Sequence, residues 1–145
     1  MISAVLDTNV LVSGLVGVEK PSSTPGEVIR RWRSKSFELI VSEHILSELA
    51  ETLTDPYFTR RLSSAAIAEA FDVLRIDAII QPITVPVSGV ATHPEDDAVI
   101  ATALSARCSY LVTGDKQLQD RGTYHGTSLI SPRQFLNVLE GNSLP

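Results

Sequence analysis

Short apolar runs alternate with amphipathic stretches along this chain. "ISAVL" (2–6), "FELIV" (37–41) and "SYLVT" (109–113) have the composition of buried strands, with "IIQPI" (79–83) and "TSLI" (127–130) as shorter candidates. Between them, "TNVLVSGLVG", "GEVIRRWRSK", "EHILSELAETL", "SSAAIAEAFDVLRIDA", "PEDDAVIATALSAR" and "PRQFLNVLE" read as helices, and residues 19–25 as a loop rich in Pro and Ser. Ser42 is placed to cap the third helix, and Asp55-Pro56 stops it, because proline disfavours helical geometry in the residue before it. The alternation predicts an α/β fold: a central parallel sheet of four or five strands with helices on both faces.

A chain of 145 residues without repeats or low-complexity linkers is expected to form one domain. No apolar run reaches the roughly 18 residues of a membrane span, and the N-terminal apolar stretch lacks a basic flank and contains Asp7, so a cytoplasmic protein is expected. Cys108 is the only cysteine, which excludes an intrachain disulfide and leaves a packed thiol. His44, His93 and His125 lack metal-ligand spacing. The net charge of −5 argues against a phosphate-binding surface, yet Arg30, Arg31, Arg33 and Lys35 cluster in "RRWRSK" around Trp32. That cluster is a candidate phosphate contact, although a solvated helix face and a buried Trp32 are the simpler expectation.

In open α/β sheets, ligands bind beyond the carboxyl ends of the strands. Asp7 follows "AVL", Ser42 follows "LIV" and Asp115 follows "YLVTG", so groups distant in sequence are expected at one edge. Thr92 and Glu95 have the spacing of a capping box at the start of the "PEDDAVIATALSAR" helix. Asp97 shares a stripe with Ile100, Ala101, Leu104 and Cys108, whereas Asp96 is turned about 100° away. Asp97 is therefore expected to point inward, and with no arginine evident to meet it, a bound cation is an attractive partner. Asp115 also suits a turn, and Glu48 lies off the expected apolar face of its helix, Ile45, Leu46, Leu49, Ala50 and Leu53. Three or four acids at one sheet edge are what a hard Mg²⁺ or Mn²⁺ ion requires.

"AVLDTNVLVSG", "VSEHILSELAETL", "PEDDAVIATALSARCSYLVTGD" and "SLISPRQFL" resemble, in that order, the PIN-domain proteins, and most closely the VapC-like toxins of bacterial toxin-antitoxin systems. The resemblance covers nearly the whole chain and implies a three-layer sandwich that acts as a ribonuclease. Its metal-binding and catalytic acids then fall on Asp7, Glu48, Asp97 and Asp115, holding one or two Mg²⁺ or Mn²⁺ ions. Thr8, Asn9, Ser42 and Thr113 match small polar positions that orient ligands, and Asp96 assists through water. The implied chemistry is metal-assisted hydrolysis of an RNA phosphodiester. Setting aside four site acids changes the charge of −5 to −1, which lessens the conflict with an RNA substrate.

The resemblance also implies a homodimer and an antitoxin protein as partner. "FTRRLSSAAIAEAF" offers apolar surface for either, although internal core is the more economical use. Haloacid-dehalogenase-like phosphatases also place an aspartate after their first strand, but they carry a second acid and a hydroxyl where this chain has Asn9 and Leu11. A receiver domain would reverse the order of its acids. The non-enzymatic alternative is a nucleic-acid- or partner-binding scaffold whose acids only cap helices and turns.

Overall fold

The computed structural model describes residues 1–141. Six strands form one sheet in the order β3-β2-β1-β4-β6-β5: β1 (Ser3–Leu6), β2 (Glu38–Val41), β3 (Ile79–Ile80), β4 (Tyr110–Val112), β5 (Thr123–Tyr124) and β6 (Thr127–Ile130). All pairings are parallel except β5 with β6. The five expected strands are present, and the sixth, β5, is two residues long. It precedes a tight turn in which His125 and Gly126 both have positive φ, 48° and 87°, as a two-residue hairpin turn requires. So short a segment lacks the apolar run by which strands are read from sequence.

The helices are α1 (Thr8–Gly17), α2 (Thr24–Arg33), α3 (Glu43–Thr52), α4 (Pro56–Thr59), α5 (Ser64–Asp77), α6 (Pro94–Ser105), α7 (Lys116–Arg121) and α8 (Pro132–Leu139). Caps define most of the starts. Asp7, Ser23, Ser42, Ser63, Asp115 and Ser131 each accept a backbone N–H from the first turn, satisfying donors that the helix cannot pair internally. The expected capping box at α6 is absent: His93 is the N-cap and makes no side-chain capping bond, while Thr92 bonds Gln117 instead.

The core is built from the strands and the inner helix faces, including Val5, Ile40, Leu111, Leu11, Ile45, Ile100 and Phe135. Trp32 is buried in it, as is Cys108, whose thiol donates to the Tyr110 carbonyl just beyond α6. α1 and α2 meet backbone to backbone, since a Cβ at Gly26 would lie 2.2 Å from the Gly17 carbonyl oxygen. Along α3, Ile45, Leu46, Leu49 and Leu53 are buried as expected, but Ala50 is exposed. α5 supplies less of the internal core than expected of its segment, because Leu74 alone is fully buried, Ala70 and Phe71 are half-buried, and Ala66 is exposed. Ion pairs Arg75–Glu43 and Arg33–Asp77 tie this helix to α3 and α2. Among the described residues, no helix is long and apolar enough to cross a membrane.

Candidate active site

The parallel strands deliver their carboxyl ends to one edge, and the groups that follow them meet there. Asp7 N–H bonds the Val112 carbonyl at 3.0 Å, and Thr113 N–H bonds the Ile130 carbonyl at 2.9 Å, so β1, β4 and β6 are locked in step where they end. A pocket of ≈ 590 Å³ opens at this edge. Its walls carry Asp7, Glu48, Glu95, Asp96 and Asp115, with Thr8, Asn9, Thr52 and His93 beside them. Among the described residues, neither lysine nor arginine lines it.

Each acid is held by identifiable donors. Asp7 Oδ1 takes the Val10 N–H at 2.9 Å, and Oδ2 takes the Thr113 hydroxyl at 2.5 Å. The Thr113 hydroxyl, itself fully buried, also accepts the Asp115 N–H at 3.0 Å. Asp115 Oδ1 in turn accepts from the Gln117 and Leu118 amides at 2.8 and 3.4 Å, serving as cap and pocket wall at once. Glu48 Oε1 receives the Thr8 hydroxyl at 3.0 Å and faces His44 Nε2 at 3.1 Å. His44 Nε2 lies also 3.0 Å from the Glu95 carbonyl, so its N–H spans α3 and the first turn of α6.

Electrostatics mark the pocket as short of positive charge. Burial pushes Asp7 above the usual aspartate range, the Thr113 and Val10 bonds pull it back, and the carboxylates of Asp115 and Glu48 raise it further. Asp96 is raised as well, first by burial and then by Asp7, Glu48 and Glu95, with His93 opposing. A partly buried group of like charges without a cation is unfavourable.

The structure reverses the expected parts of the two adjacent aspartates. Asp97 does point inward, as its stripe requires, and is only 6% exposed. Its partners, however, are backbone amides: Gly89 N–H bonds Oδ2 at 2.9 Å, and Val90 and Ala91 N–H bond Oδ1 at 3.1 and 2.7 Å. Asp96, one residue earlier, faces the pocket with Asp7 and Glu48. Periodicity reported which side chain was inside, but inside α6 means toward the preceding loop and not toward the sheet edge.

Two other expectations are corrected. Ser42 caps α3 and accepts the Thr102 hydroxyl at 2.8 Å, so it is a buried joint between α3 and α6 and is not in the pocket wall. Of the basic cluster, Arg30 and Arg31 share Glu27 at 2.7 and 2.9 Å, and Arg31 also meets Glu140 at 3.0 Å. Arg33 pairs with Asp77 at 2.8 Å, and with Lys35 it lines a separate pocket beside Met1 and Glu38, where β1 and β2 begin. That is the opposite edge of the sheet from the acids. Sequence alone gave His44, His93, Glu95 and Thr52 no part in this pocket. His44 had one available signal, its i, i+4 spacing to Glu48.

A divalent ion fits the chemistry of this donor set, since carboxylate and hydroxyl oxygens are the hard ligands that Mg²⁺ and Mn²⁺ accept. Among the described residues, no three carboxylate, imidazole or thiol groups stand at direct ligation distance around one point. An ion held here would have to draw much of its shell from water, as Mg²⁺ usually does.

Fold and site together define an α/β protein with an acid-lined pocket at the carboxyl edge of a mostly parallel sheet. The sequence model of the PIN domain matches residues 3–117, and the chain belongs to the PIN-domain family. A solved chain of the VapBC2 complex from Rickettsia felis, bound to a DNA fragment from their promoter, matches with a TM-score of 0.57 and 13% identity over 88% of this chain and 97% of that chain. The likeness is one of fold. No curated protein matches the sequence.

Proposed function

We propose that this protein is a divalent-metal-dependent ribonuclease whose working acids are Asp7, Glu48, Asp96 and Asp115. The observation that carries the proposal is the pocket itself: carboxylates from four separate parts of the chain line one cavity that, among the described residues, no lysine or arginine lines. Capping accounts for Asp7 and Asp115 one at a time, but not for their meeting Glu48 and Asp96 in one cavity. PIN domains are generally nucleases that use divalent ions, which agrees with this reading. Mg²⁺ or Mn²⁺, as one or two ions, supplies Lewis-acid stabilisation of a phosphoryl oxygen and acidifies water.

The chain's own residues do the rest. Asp7 and Asp96 sit where burial and mutual repulsion favour neutralisation by a cation. Thr113 holds Asp7 and the Asp115 turn in one geometry, and Thr8 with His44 holds Glu48. Asn9, exposed on the pocket wall, is available to a substrate hydroxyl or base. The fold likeness to VapBC2 supports a toxin paired with an antitoxin protein, and cytoplasmic RNA as substrate and a homodimeric assembly belong to the same reading.

The test is cleavage of single-stranded RNA in Mg²⁺, in Mn²⁺ and in chelator, with Asp7→Asn and Asp96→Asn alongside. Cutting is expected only with the ion, and each substitution lowers the rate by about a hundredfold or more while leaving the protein folded. Cleavage that persists in chelator, or that both variants retain, overturns the proposal.

A further inference from the structure

Residues 81–93 join β3 to α6 without a helix or strand of their own. So long an irregular connection in a compact domain must find partners for its backbone groups elsewhere. This one finds them at three stations, and a side-chain contact adds a fourth tether. Gln81 N–H bonds the Val41 carbonyl at 2.8 Å, and the Thr84 and Val85 amides bond Ser105 Oγ at 2.9 and 3.0 Å. The three successive amides of Gly89, Val90 and Ala91 converge on Asp97, and the Thr92 hydroxyl meets Gln117.

The third station differs from the others because its acceptor is a buried carboxylate. Successive N–H groups turned toward one centre form a concavity suited to an anion, and here the anion is part of the chain. Gly89 makes the turn possible with φ of +71°, a conformation that side chains rarely adopt. Two residues beyond Ala91 comes His93, the N-cap of α6, whose carbonyl accepts the Asp96 N–H at 3.0 Å. The clamp thus lies directly against the turn that aims Asp96. With Asp97 fixed inward, helical geometry turns Asp96 by about 100° to the pocket side.

We infer that Asp97 is a positioning residue: its carboxylate clamps the Gly89–Ala91 amides and so sets the first turn of α6, which presents Asp96 to the site. The inference rests on the metal-dependent reading of the pocket. It assigns the neighbouring aspartates different work, one toward the ion and one toward the backbone. Bound to three amides, the Asp97 carboxylate is not among the groups that line the pocket.

Asp97→Asn keeps the shape but replaces one acceptor oxygen by a donor facing N–H groups. Gly89→Ala strains the same clamp from the loop side without touching any acid, and a Cβ there meets no atom within 4 Å. Two readouts apply to each variant, Mn²⁺ affinity by electron paramagnetic resonance and hydrogen exchange at residues 89–91. Both are expected to raise the Mn²⁺ dissociation constant about tenfold, the effect usual for groups supporting a metal ligand. Both also speed exchange at 89–91, and saturating Mn²⁺ restores RNA cleavage. Asp96→Asn, by contrast, keeps exchange at 89–91 slow and loses binding that added Mn²⁺ does not restore.

If Asp97→Asn behaves as Asp96→Asn does, Asp97 is itself a ligand and the inference is overturned. Unchanged Mn²⁺ affinity in Gly89→Ala and Asp97→Asn overturns it too, and covers the case in which either variant alone is poorly folded. Unchanged affinity in Asp7→Asn and Asp96→Asn sinks the metal reading first, and this inference with it.

Discussion

The Thr113 hydroxyl donates to Asp7 Oδ2 at 2.5 Å, joining residues 106 positions apart in the chain. Because the same oxygen accepts the Asp115 amide, one buried side chain sets two acids at once. That economy follows from the sheet: β1 and β4 are parallel neighbours, so the residues after Leu6 and Val112 end side by side.

Thr113→Val tests this joint, since valine keeps the shape and removes the hydroxyl. The Asp7 carboxylate loses a donor and the Asp115 N–H loses an acceptor, at a cost of about 1–3 kcal/mol for buried groups left unpaired. Chemical denaturation measures that loss, and a Mn²⁺ titration is expected to show weaker binding in the same variant. Unchanged stability and unchanged Mn²⁺ affinity together would remove Thr113 from the account.

The raised acids give the metal-free protein a characteristic pH dependence. An aspartate whose folded pKa exceeds its unfolded value holds its proton more tightly in the folded state. Its contribution favours folding below the ordinary aspartate range and is lost as pH rises through the raised value. For Asp7 and Asp96 the burden therefore grows as pH rises above the ordinary aspartate range. In chelator at pH 7, Asp7→Asn and Asp96→Asn are expected to melt above the wild type, the gain fading as pH falls below the ordinary aspartate range. Saturating Mn²⁺ should reverse the order, because only the carboxylates gain from the ion. Melting curves at several pH values decide it, and variants that melt lower than the wild type at pH 7 in chelator count against an unfavourable empty pocket.

The basic cluster makes the opposite forecast to the one its composition suggests. Glu27 is held below the usual carboxylate range by hydrogen bonds from Arg30 and Arg31, so its contribution is present at neutral pH and lost as pH falls through its lowered value. Glu27→Gln should cost about 0.5–1 kcal/mol at pH 7, as partly exposed pairs do, and nothing in acid. Arg33→Gln and Lys35→Gln, at the far edge of the sheet, should leave RNA cleavage within about twofold; a loss of the size and salt dependence of a phosphate contact would restore the cluster to the substrate path.

The sequence by itself determined the order of the main strands and helices, the cap of α3 and the placing of acids after the strand ends. Apolar run length and helical period are local properties, and they survive folding because the core must be filled by those residues. It also determined that Asp97 lies inside α6. What it left open was what that interior contains. The choice between Asp96 and Asp97, the withdrawal of Ser42 into a joint with Thr102, and the pairing of Arg30, Arg31 and Arg33 all depend on partners many residues away. Helical periodicity gives a direction around an axis and nothing about the neighbour found in that direction. Only the tertiary structure supplies that neighbour, because it alone decides which backbone amides and charges arrive at the same place.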